Sequence, residues 1–190
     1  YTILLLIFGS VNSFAQGPHD VQLYGMTQYG GAGYRGTIFH YTPSTKTYTV
    51  DYEFQIKSKG RTPKCEIVSG LNGKYYGTTA EGGAHNAGVI FSWDSVSGEY
   101  AEPYDFNLTD GTDARGGMVL YKGKLYGMTN AGGANNMGTL YSWDLNTGTF
   151  QQKIDFDSLN GKNPQGSLTL VDSIFHGFTY AGGLHNKGIL

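Results

Sequence analysis

The chain has one cysteine, no block of like charge and no helical apolar stripe, and each absence closes off a class of protein. Cys65 stands alone, so no internal disulfide can form, and its thiol reads as a small buried apolar group. Thirteen basic against fifteen acidic residues leave a formal charge of −2 with neither sign in runs, which removes nucleic acid as a partner. Also missing are a Gly-x-Ser-x-Gly elbow, a His-Glu-x-x-His pair, a phosphate loop and a Cys-x-x-Cys motif. No catalytic residue, metal or cofactor is therefore assigned.

What the chain does have is glycine and aromatic side chains: thirty glycines, fifteen tyrosines and ten phenylalanines. That mixture fits many short strands joined by tight turns. One sentence recurs four times: Leu23-Tyr-Gly-Met-Thr, Tyr75-Tyr-Gly-Thr-Thr, Leu125-Tyr-Gly-Met-Thr and Phe175-His-Gly-Phe-Thr, with glycines at Gly25, Gly77, Gly127 and Gly177. Downstream come a Gly pair (Gly82-Gly83 in the second copy), a further glycine (Gly88), two aromatics (Phe91 and Trp93) and an acidic-Phe pair. That last pair is Glu53-Phe54, Asp105-Phe106 and Asp155-Phe156 in the first three copies. A period near fifty residues with strand-like content predicts an all-β fold, an incomplete β-propeller of four-stranded antiparallel blades. The repeats run at about 22–72, 73–122, 123–172 and 173–190, roughly three and a half blades.

Each repeat reads as strands a to d. In the third, b is Lys124 to Thr129, c is Thr139 to Asp144 and d is Phe150 to Phe156, with Phe150, Gln152, Ile154 and Phe156 expected on one face. The next strand a is Ser167 to Val171, turning at Asp172-Ser173. The mid-strand glycine of each Tyr-Gly pair predicts a place where a neighbouring blade or strand crossing leaves no room for a Cβ. Tyr24, Tyr76 and Tyr126 then face the other way, and stacking of blades buries them together with the rings of strand c.

Residues 1–15 read as a signal peptide whose charged start is missing: an apolar run from Tyr1 to Phe8, then Ser13-Phe14-Ala15 before Gln16. A buried first strand or a membrane anchor is the alternative, but the run is shorter than the roughly 20 residues that span a bilayer. The expected mature chain, 16–190, is secreted or displayed at the cell surface without membrane insertion, and enters the ring at strand b. Closed rings use roughly 200–400 residues at this period, so the chain is expected to be a stretch of a longer protein.

From about Val21 onward the residues resemble the Gloeo/Verruco tandem repeat of the choice-of-anchor proteins. The resemblance rests on Tyr76-Gly-Thr-Thr with Gly82-Gly83, on Gly138-Thr-Leu-Tyr, and on Asp105-Phe106 followed by Asp110-Gly111. It implies a repeat protein of the cell surface, and the Gly-Gly-then-aromatic order is similar to kelch repeats, which build four-stranded propeller blades. Two places depart from the pattern: His176 stands where Tyr is expected, and Tyr34-Arg35 replaces the Asn-containing pair.

The b–c loops carry Ala32-Gly-Tyr-Arg35, Ala84-His-Asn-Ala87, Ala134-Asn-Asn-Met137 and Leu184-His-Asn-Lys187. On one rim of a propeller, Arg35, His85, Asn86, Asn135, Asn136, His185 and Asn186 would form an arc of hydrogen-bonding groups beside the central channel, suited to sugar hydroxyls. Asn and Gly also serve tight-turn geometry on their own account. The loops Asp105 to Gly111 and Asp155 to Gly161 offer carboxylate and amide oxygens, but their glycine falls at position seven rather than six of a calcium loop, so no metal is placed there. The expected function is a binding or display module whose partner is a polysaccharide or another surface protein. The alternative is an extracellular carbohydrate-active enzyme with its catalytic residues in further blades.

Overall fold

A computed structural model describes residues 21–55 and 59–190; the leader reading of 1–15 lies outside the described residues. The first repeat forms a three-stranded sheet of β1 (Leu23–Thr27), β2 (Thr37–Thr42) and β3 (Thr47–Glu53), which are strands b, c and d. The second blade is a four-stranded sheet that takes its strand a, β4 (Val68–Ser69), from the end of the first repeat and adds β5 (Lys74–Thr78), β6 (Val89–Asp94) and β7 (Tyr100–Asp105). The third repeats it with β8 (Val119–Tyr121), β9 (Lys124–Thr129), β10 (Thr139–Asp144) and β11 (Phe150–Asp155). Last come β12 (Lys162–Pro164), β13 (Thr169–Val171), β14 (Ile174–His176) and β15 (Thr179–Ala181), with β13 paired to β14 and β12 to β15. Every pairing is antiparallel, and the whole is an incomplete β-propeller.

Cores lie between blades. Tyr24, Ile38 and Tyr52 of the first sheet pack against Phe91, Trp93 and Tyr100 of the second. One period later, Tyr76, Ile90 and Tyr104 pack against Leu125, Tyr141, Trp143 and Phe150. A third cluster joins Tyr126, Met128, Leu140 and Phe156 to Leu168 and Phe175. Tyr24 and Tyr76 thus meet Trp93 and Trp143 of strand c of the following blade, as the alternation of faces predicts, while Tyr126 meets Phe175 of strand b. Burying each such ring contributes about 1.5–3 kcal/mol.

Two local expectations need correction. Except at Gly177, where a Cβ would stand 3.2 Å from Met128 Cε of the preceding blade, the mid-strand glycine is not cleared for a neighbouring blade. Its direct cross-strand partner is the first aromatic of its own strand c, Gly77 opposite Phe91 and Gly127 opposite Tyr141. That ring folds across the glycine, where a Cβ would stand 2.5 Å from Phe91 Cζ or Tyr141 Oη. Nor do Phe150 and Phe156 share a face. The pairing of β10 with β11 slips by a bulge between Leu140 and Tyr141, so Phe150 packs toward the second blade and Phe156 toward the fourth. Equivalent bulges interrupt β2–β3 between Ile38 and Phe39 and β6–β7 between Ile90 and Ser92.

Candidate functional site

The b–c loops stand on one rim beside the segments that carry the chain from strand d to the next strand a. Thr62 N donates to Arg35 O at 2.9 Å and Asn163 N to Met137 O at 2.8 Å, which ties the segments entering the second and fourth blades to the preceding blade's loop. On the opposite rim, the a–b and c–d turns meet where Leu145 N donates to Gly123 O at 3.0 Å.

The acidic-Phe pair holds the loops in place. Glu53 Oε2, Asp105 Oδ1 and Asp155 Oδ1 accept from the amides of Ala32, Ala84 and Ala134 at 3.0, 2.9 and 2.7 Å. The following amides, of Phe54, Phe106 and Phe156, donate to Gly36, Gly88 and Gly138 at 3.0 Å. The oxygens considered for calcium are used in the same way. Asn107 Oδ1 accepts from Thr109 N and Asp110 N, and Asp157 Oδ1 accepts from Leu159 N and Asn160 N. Among the described residues no group of three or more His, Cys, Asp or Glu side chains is arranged to hold a metal.

The seven residues expected on this rim divide into two sets. Asn86, Asn136 and Asn186 sit at φ 54°, 54° and 53°, the left-handed conformation that asparagine tolerates, and Asn136 and Asn186 close their own loops by accepting from Gly132 N and Gly182 N. Asn135 Nδ2 donates to Phe156 O at 3.1 Å, and half-buried Arg35 lends its carbonyl to Thr62. His85 and His185 are exposed and free of this scaffolding. No hydrogen bond joins any two of the seven among the described residues. The side-chain contacts made here come from Arg61, whose Nη2 lies 2.9 Å from Glu81 Oε2 and 3.4 Å from Asn86 Oδ1.

A second polar cluster lies where the incoming segments converge. Glu66, Gly117 and Ser167 occupy one position in three successive incoming segments, and they meet. Gly117 N donates to Ser167 Oγ at 2.9 Å, and Ser167 Oγ donates to Glu66 Oε1 at 2.7 Å, joining residues 101 apart in the chain. A Cβ on Gly117 would run into the Glu66 carboxylate. Convergence of inner segments from three blades marks the propeller axis. Two residues earlier, Lys64 Nζ reaches Asp113 Oδ1 at 2.9 Å, while Arg115 Nη2 and Nε reach Asp113 Oδ2 at 2.7 and 2.8 Å. Burial pushes the Asp113 carboxyl up, but the hydrogen bonds and charges of Arg115 and Lys64 outweigh it and hold the group below its ordinary value. The mouth of the axis thus presents donors, acceptors and both signs of charge. Registering the repeats on strand a rather than on Tyr-Gly would have exposed it, because the second repeat has a longer a–b hairpin that shifts Glu66 by one place.

Repeated four-stranded sheets turning about a polar axis define a repeat protein of β-propeller type. Residues 9–190 match the Gloeobacter/Verrucomicrobia repeat, and the chain belongs to that family. No curated protein matches it in sequence. Among solved structures it is similar to TolB from Acinetobacter baumannii, at 14% identity and TM-score 0.52 over 78% of this chain and 32% of that one. It is also similar to a Mycobacterium tuberculosis puromycin-hydrolyzing peptidase (8% identity, TM-score 0.48, 75% and 21% covered). A third is a europium-containing methanol dehydrogenase (17% identity, TM-score 0.47, 70% and 23% covered). The chain spans a third or less of the length of each, and the TolB likeness bears on the fold alone.

Proposed function

We propose that the protein is a secreted or cell-surface binding and display module that takes a polysaccharide or another surface protein on the rim formed by its b–c loops and inner segments. The supporting observation is a contrast along the repeats. Side chains that serve the scaffold recur, as do Glu53, Asp105 and Asp155 on their loop amides. Other rim positions diverge from repeat to repeat: Lys64, Arg115 and Gln165 share one place, and Glu66, Gly117 and Ser167 another. A constant frame under a varied surface suits recognition. Glycoside cleavage is less well supported, since it takes two carboxylates in distinct protonation roles. Asp113 is bound to two cations, leaving Glu66 as the uncompensated carboxylate of this cluster.

The labelled full chain on a combined array of glycans and surface proteins tests this. Capture lost on combining Lys64→Ala, Glu66→Ala, His85→Ala and His185→Ala, and kept with Leu71→Ser and Val96→Ser on the opposite rim, supports the reading. No capture, or equal losses from both rims, removes it.

A further inference from the structure

We infer that the b–c loop of the first repeat is a stacking platform for a sugar ring of a neutral polysaccharide, with Tyr34 as its aromatic surface. The inference rests on the rim reading above and gives that rim a ligand class. Tyr34 stands at the loop position that Asn86, Asn136 and Asn186 fill in the other repeats, and it takes the same left-handed conformation, φ 53° against 54°, 54° and 53°. Asparagine adopts that conformation with little strain, whereas an aromatic residue there is strained. No burial offsets the strain, because Tyr34 is 80% exposed.

The rest of the loop departs from the repeat in the same direction. Tyr29, 64% exposed, occupies the place of Glu81 and Ala131, and its hydroxyl accepts from Gln28 Nε2 at 3.0 Å. Two exposed phenols thus stand on one short loop, whereas the second and third b–c loops expose no large apolar side chain and the fourth exposes Leu184. Beside it, the hydrogen bond from Thr62 N to Arg35 O lays Arg61-Thr62 along Tyr34-Arg35. Arg61 is in turn fixed by Glu81 and Asn86. A guanidinium, a carboxylate and an amide therefore stand on and around the segment that runs alongside the loop carrying the exposed ring.

This pairing of surfaces matches the two sides of a pyranose. Its C–H face packs on an aromatic plane, and its ring hydroxyls both donate and accept, as the Arg61–Glu81–Asn86 group requires. Arg35 and Arg61 are matched by Glu53, bound to the loop at Ala32 N, and Glu81, so no net field favours an anionic glycan or a phosphate backbone.

Affinity electrophoresis of the full chain through gels carrying xylan, laminarin or galactomannan tests the assignment, with titration calorimetry on the polysaccharide that retards it. At least one of the three is expected to slow the protein. Tyr34→Asn restores the residue of the other repeats, so it should fold with an unchanged or higher melting temperature and bind at least tenfold more weakly. Tyr34→Phe should keep binding within about threefold. Retardation by none of the three, or equal binding by Tyr34→Asn and the native chain, overturns the inference. If the array captures a surface protein through the rim while every polysaccharide fails, this inference falls and the rim reading stands. If rim substitutions alter no capture of any kind, both fall.

Discussion

Tyr52 and Tyr100 lie face to face, centroids 4.2 Å apart and planes 5° from parallel, although they belong to strand d of different blades. Tyr104 and Phe150 repeat the stack at 4.3 Å and 3°. Tyr100 and Tyr104, four residues apart on β7, would share a face of a regular strand. The bulge between them turns one ring toward the preceding blade and the other toward the following one, so β7 cements two interfaces, as the third strand d does through Phe150 and Phe156. Burial in this stack pushes the Tyr52 phenol up to about 12 and Tyr100 further still.

Coupling across the second stack is directly measurable. Tyr104→Ala and Phe150→Ala should each lower unfolding free energy by about 2–4 kcal/mol. Their double-mutant cycle should return a coupling of about 0.5–1.5 kcal/mol. Strict additivity in denaturant melts would mean that the rings contribute area and nothing from their mutual geometry.

The period, the strand order and the alternation of faces on strands b and c were legible because they depend on spacing alone. Simple alternation puts Phe150 and Phe156 on one face, because a bulge leaves no mark in the residues that flank it. The recurrence of the Tyr-Gly glycine marks a crowded place, and the sequence points to a neighbouring blade or a strand crossing as what crowds it. Nothing in a linear reading says that Phe91 folds over Gly77, since that depends on register. Asn86, Asn136 and Asn186 were read both as turn residues and as ligand groups; φ and loop hydrogen bonds identify a turn role. Glu66 and Ser167 were missed because residues 101 apart meet only when three blades converge on an axis.

Gly77→Ala tests the glycine account. The new methyl would stand 2.5 Å from Phe91 Cζ and displace a ring buried between blades, at a cost of about 1–3 kcal/mol. Adding Phe91→Leu should make the same glycine substitution milder, because the obstructing ring is gone. A melting temperature unchanged by Gly77→Ala alone would show that the space is open.

Asp155→Ala should loosen one loop while leaving the blade intact. Its Oδ1 accepts from Ala134 N at 2.7 Å, and losing a charged acceptor costs about 1–3 kcal/mol. Hydrogen exchange at the Ala134 amide should quicken while amides of β9 and β10 keep their protection. Uniform quickening across the blade would point instead to global destabilisation.

Asp113 gives the fold an acid-sensitive joint between the second and third blades. Its carboxyl titrates below the ordinary value of about 3.9 because Arg115 and Lys64 bind the ionised form. A depressed folded value means that the stabilisation is complete above the unfolded value and disappears as pH falls through the folded one. At neutral pH Asp113→Asn should therefore be less stable by about 1–3 kcal/mol, with Lys64 and Arg115 left facing each other without the shared anion. Melting curves taken from neutral pH downward should show the native chain losing stability faster than the variant below about pH 4, the two converging in acid. Parallel curves would mean that Lys64 and Arg115 hold Asp113 no more tightly when it is folded than when it is not.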